Sequence, residues 1–154
     1  MAPLLIAGSA VRAQETAVGT LNANFGTIAR LSLSSSSLAF PDADPDSVPQ
    51  VPAATSVTVT AKARATRLAT VSLTVLANDD LRSGVTTIPV QHLTWTASGG
   101  GFVPGTVSRV AAQTLASWTG SGVRTGTQDY FFRNLWTHPT GTYTVTIVYT
   151  LTAP

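Results

Sequence analysis

No cysteine occurs anywhere in the 154 residues, which excludes a disulfide framework and any thiolate metal site. Charge is almost as scarce. Asp, Glu, Lys and Arg make up 10 % of the chain, against about a quarter in an average soluble domain. Nine Lys and Arg against seven Asp and Glu leave a formal net charge of only +2. The basic residues Arg30, Lys62, Arg64, Arg67, Arg82, Arg109, Arg124 and Arg133 stand singly along the sequence. Nucleic-acid binding needs a clustered basic stripe that releases counterions together, so this pattern argues against a nucleic-acid partner. Apolar runs are also short. The longest, within residues 3–10, is far too brief to cross a bilayer, and no later stretch reads as a membrane span.

What is abundant is hydroxyl and apolar surface. Ser and Thr fill about a quarter of the chain and apolar residues 44 %, a balance that speaks against disorder and for an extracellular β protein. The length suits one domain with a real core. Residues 1–13 read as the remnant of a signal peptide, with Val11-Arg12-Ala13 as the small-residue pattern before Gln14, which leaves 14–154 as a single secreted domain.

The dominant period is two. Val57, Val59, Ala61 and Ala63 alternate with Thr58, Thr60, Lys62 and Arg64, the signature of a half-buried strand. Val71, Leu73 and Val75 repeat the pattern, as do Tyr143, Val145, Ile147, Tyr149 and Leu151. Further strands are expected over 17–23, 28–34, 88–97, 114–120 and 127–134. Turn residues separate them, among them Asn78-Asp79-Asp80, Pro104-Gly105, Ser121-Gly122 and Pro139-Thr140-Gly141. Many short strands divided by such turns predict an all-β fold, an immunoglobulin-like antiparallel β-sandwich.

Groups that carry chemistry are few. Asp42, Asp44 and Asp46 place carboxylates at alternate positions of a Pro-rich loop, as a calcium loop begins. Ser47 and Ala53 stand where an EF-hand has its turn glycine and bidentate Glu, so a solvated acidic turn competes with Ca²⁺ here; no other cofactor is expected. His92 and His138 are the only histidines, and neither has a nucleophile elbow around it. The adjacent Asp79-Asp80 does not provide two carboxylates facing one bond, and the glycine-rich 98–101 has no phosphate-loop pattern. No enzyme is expected. Trp136 and Tyr130 are candidates for stacking against a sugar, with Trp95 and Trp118 assigned to the core.

The segment from Gly141 through Tyr143, Val145, Ile147, Tyr149 and Leu151 resembles the C-terminal strand of bacterial fimbrial-type domains related to spore coat protein U and chaperone–usher pilins. Phe25-Gly26-Thr27-Ile28, Leu38-Ala39-Phe40-Pro41, Leu93-Thr94-Trp95-Thr96 and Trp118-Thr119-Gly120 resemble secreted WxL-like surface domains. The pilin resemblance implies a pilus-like or coat subunit that polymerises by strand addition. The donor candidate is the stretch carrying Ala17, Gly19, Leu21 and Ala23 on one face; pairing within its own domain is the competing expectation. Together these readings predict a secreted structural or adhesive cell-surface protein that associates with itself or with other surface subunits. A carbohydrate- or cell-envelope-binding module is the alternative.

Overall fold

The computed structural model describes residues 20–154, and over them the expected antiparallel all-β sandwich is present. Strands form where β-branched residues alternate with polar ones, because branched side chains pack on a pleated surface at little loss of rotamer freedom. In β3 (Val57–Arg64) the residues Val57, Val59, Ala61 and Ala63 are buried, and Thr58, Lys62 and Arg64 face solvent. In β4 (Thr70–Ala77) the buried row is Val71, Leu73, Val75 and Ala77.

The larger sheet runs β1 (Ile28–Leu33), β3, β10 (Gly122–Arg133), β7 (Leu93–Ser98) and β8 (Gly105–Thr106), with β2 (Gln50–Pro52) paired to the far end of β10. The smaller runs β11 (Ile147–Thr152), β4 and β9 (Gln113–Thr119), and a hairpin joins β5 (Leu81–Ser83) to β6 (Thr86–Ile88). Between the two sheets lies one core, in which Trp95, Leu73, Leu115, Val59 and Val107 are among the largest fully buried side chains.

β10 begins five residues before the expected Thr127, because its first half has an inward row of Arg124 and Gly126 instead of alternating apolar residues. At Gly126 the missing side chain is replaced from elsewhere. A Cβ there would lie 2.5 Å from the Phe102 ring, so the loop residue Phe102 occupies the volume that the strand leaves free. Gly105 does the same for Trp95, whose indole an added Cβ would overlap.

Two other expected strands are shorter than the periodicity suggests. The expected strand over 88–97 is broken by a 3-10 turn at Val90–His92, since Pro89 cannot donate a ladder bond and the Val90 N–H goes to Asp80 Oδ1 at 3.0 Å. The C-terminal strand starts at Ile147, not at Tyr143. Thr144 instead exchanges reciprocal 2.9 Å backbone bonds with Arg82, and the Thr146 N–H donates to Asn78 Oδ1 at 3.1 Å. β5 and the turn after β4 therefore take backbone groups that would otherwise extend the ladder.

Candidate functional site

The two long sides of the sandwich end differently. On one side Phe102 bridges to Ala116, the Val103 N–H donates to the Leu115 carbonyl at 2.9 Å, and Trp95 Nε1 donates to the Val103 carbonyl at 2.9 Å. That side is stitched shut. On the other, β1 and β11 are the outer strands of their sheets and approach one another without pairing. Among the described residues each presents a row of backbone N–H and C=O groups with no strand beside it, the condition under which a further strand can be added.

The floor of this seam is apolar. Leu31 of β1 and Ile147, Tyr149 and Leu151 of β11 pack against the core but are only partly buried. A polar chain anchors β11 from beneath: Tyr149 Oη donates to Gln128 Oε1 at 2.7 Å and lies 2.7 Å from Tyr130 Oη. Gln128 is 0 % exposed, so these bonds are formed away from water, where an unmade one is costly. Burial raises both phenols above the ordinary tyrosine value, Tyr130 further than Tyr149, and both stay protonated as hydrogen-bond donors.

Of the donor-strand residues, Ala17 and Gly19 lie outside the described residues. Leu21 and Ala23 lie in residues 20–27, which form no strand, and Leu21 is 94 % exposed. Comparison with protein-family models and with curated proteins gave no match.

The other predicted residues are not gathered as expected. Trp136 is 70 % exposed, whereas Tyr130 is 2 % exposed and committed to Tyr149, so burial removes Tyr130 from any sugar-stacking surface with Trp136. Asp42, Asp44 and Asp46 all face solvent. Asp44 Oδ1 accepts the Asp46 N–H at 2.9 Å and Asp46 Oδ1 accepts Trp136 Nε1 at 3.0 Å. The loop is held by its own carboxylates, and among the described residues no three metal-ligating side chains come together.

The two histidines, far apart in sequence, do meet. His92 Nδ1 lies 3.1 Å from His138 Nε2, and the His138 ring also packs on Phe132 at 5.3 Å between centroids. His138 Nδ1 is buried without a partner. The tautomer that strands no N–H has His138 Nε2 donating to His92 Nδ1. Burial lowers both imidazoles below the usual value; the charge of Arg133 adds to the effect on His92, and those of His92 and Arg133 to the effect on His138. No spacing in the sequence signals this pair. It arises because β7 and β10 pair Leu93 with Phe132, which brings the turn before one strand to the turn after the other.

Proposed function

We propose that this chain is a secreted, immunoglobulin-like surface subunit with a structural or adhesive role, assembling by strand addition. The observation that carries this reading is the seam: two strand edges on one side of the sandwich that are unpaired among the described residues, above a partly exposed apolar row of Leu31, Ile147, Tyr149 and Leu151. An incoming extended segment would gain backbone bonds along an edge and bury alternate side chains against that row. The segment around Leu21 and Ala23 supports this role: both side chains are exposed, and its described part, residues 20–27, forms no strand. The resemblance to fimbrial-type domains points the same way.

The test is the oligomeric state and thermal stability of the mature chain from Gln14, with and without residues 14–24, by light scattering and calorimetry. Strand exchange predicts assemblies that vanish on truncation and truncated protein stabilised by an added peptide of residues 14–24. A monomer of unchanged size in both forms, indifferent to the peptide, would refute it.

A further inference from the structure

The few charges of this chain are sorted by end. Cross-strand pairing sets Arg30 of β1 beside Lys62 of β3 and Ile28 beside Arg64, and Lys62 also neighbours Val123 of β10. These side chains lie on the outward face of the larger sheet, because the alternate residues of β3, Ala61 and Ala63, are buried. With Ser121 and Gly122 they border a shallow depression of about 340 Å³ that no acidic residue lines. Asp129 is the carboxylate on the same face of β10, about 20 Å further along at strand rise, and it accepts the Ser56 hydroxyl. Arg67 belongs to the basic end too, since its carbonyl lies 3.0 Å from where a Cβ would sit on Gly120, just before β10 begins.

The opposite end of β10 is acidic. Asn134 Nδ2, just past the strand, holds the loop of Asp42, Asp44 and Asp46 through the Ala43 carbonyl at 2.8 Å and the Val48 carbonyl at 3.3 Å. Trp136 is fixed on this loop by the 3.0 Å bond from its Nε1 to Asp46 Oδ1, with its ring in solvent. Arg133, the last residue of β10, offsets part of this charge, while Asp79 and Asp80 at the same end are paired with Arg82 and Arg109. β10 is 12 residues long, which separates the two ends by about 35 Å. The screening length at physiological salt is about 8 Å, so the two ends do not satisfy each other within one molecule.

We propose that the acidic tip of one copy docks on the basic patch of another, with Asp42, Asp44 and Asp46 meeting Arg30, Lys62 and Arg64 and the Trp136 ring entering the depression over Ile28 and Val123. Both faces combine charge of one sign with exposed apolar surface, Trp136 on one and Ile28 and Val123 on the other. Opposite potentials of this kind steer two protein surfaces together and fix their register. A planar ring set beside guanidinium groups gains a cation–π contact as well as burial. The patch gives way to Thr60 and Ser32, the next pair on its face, so it lacks the extended stripe that a polyanion needs. In a chain with 10 % charged residues, few other charges compete with this pairing. The contact is head to tail and leaves a free end on each copy, so it builds open chains and not closed dimers. It requires no exchanged strand and in that respect goes beyond strand addition.

The experiment is sedimentation velocity of the full chain in about 10 mM and about 1 M salt, between which the screening length falls from about 30 Å to about 3 Å. Association is expected at low salt and should weaken at least about tenfold at high salt. Strand-exchanged assemblies rest on backbone bonds and apolar burial and persist at high salt, so failure of either mode is read separately. D42K/D44K/D46K reverses the tip, and R30E/K62E/R64E reverses the patch. Each alone should abolish the salt-sensitive association, and an equimolar mixture of the two should restore it. W136A should weaken it severalfold. Thermal unfolding checks the fold of each variant; if the tip variant melts early, R30E/K62E/R64E and the salt dependence of the parent decide. Vesicles of anionic lipid are added to the parent at low salt as a rival occupant of the patch. A parent that stays monomeric at millimolar concentration with or without bound vesicles, association indifferent to salt, its persistence in R30E/K62E/R64E, or well-folded variants that stay apart when mixed would overturn the proposal.

Discussion

The closed and open sides of the sandwich are built from similar residues, yet one hides its apolar row and the other leaves it half covered. On the closed side the chain between β7 and β9 folds back over the core, bringing Phe102 and Val107 inward and satisfying its own backbone with Leu93, Leu115 and Trp95. On the open side no such loop crosses from β1 to β11 among the described residues. Sheet composition does not decide whether a sandwich edge is closed; the neighbouring loop does, by supplying side chains and hydrogen bonds across the gap.

The difference is measurable by truncation. Leu115→Ala on the closed side should cost about 2–5 kcal/mol, since the buried site loses both transfer energy and packing. Leu31→Ala on the open side should cost about 1 kcal/mol, because its side chain is only partly removed from water; urea unfolding of both variants checks the contrast, and equal losses would erase it. Gly126→Ala forces a Cβ into the Phe102 ring and should destabilise by about 1–3 kcal/mol through overpacking. Adding Phe102→Leu to it should recover part of that loss, which would identify the ring as the obstacle.

Tyr149→Phe tests the anchor beneath the seam. Removing the hydroxyl leaves buried Gln128 Oε1 without its donor and should cost about 1–3 kcal/mol. Hydrogen exchange should then accelerate in β11 well before it does in β9.

The smallest effect expected is that of pH on the histidine pair. Both imidazoles titrate below the ordinary histidine value of 6.5 when folded, through burial first, then through the charge of Arg133 on His92 and the charges of His92 and Arg133 on His138. The unfolded chain therefore takes up protons first on acidification. Stability should be full above about pH 6.5 and fall as pH drops through the folded values. His92→Gln with His138→Gln should flatten that decline in thermal unfolding scans.

Much of the fold was legible because alternation survives in β3 and β4, where each strand supplies its own inward side chains. It fails where a side chain comes from elsewhere, as at Gly126 with Phe102, or where a local bond outcompetes the ladder, as at Thr144 with Arg82. The open seam was partly legible, through the apolar alternation of Tyr149 and Leu151. The outward cations were not: Arg30, Lys62 and Arg64 become neighbours only through the register of β1 and β3, a nonlocal fact that no window of sequence contains. Tyr130 shows the converse, an aromatic whose buried hydroxyl is met by a partner nineteen positions away.

β10 also governs when this protein can be finished. It pairs with β3 along its first half, with β7 along its second and with β2 at its end, and all three partners precede it in the chain. During synthesis from the N-terminus, they wait for residues 122–133 before the larger sheet can close. The β5–β6 hairpin and the β1–β3, β7–β8 and β4–β9 pairs have their partners sooner. Such dependence on nonlocal pairing makes folding slow and prolongs the exposure of unpaired edges. A nascent chain of this design is best kept extended until nearly all of it has emerged.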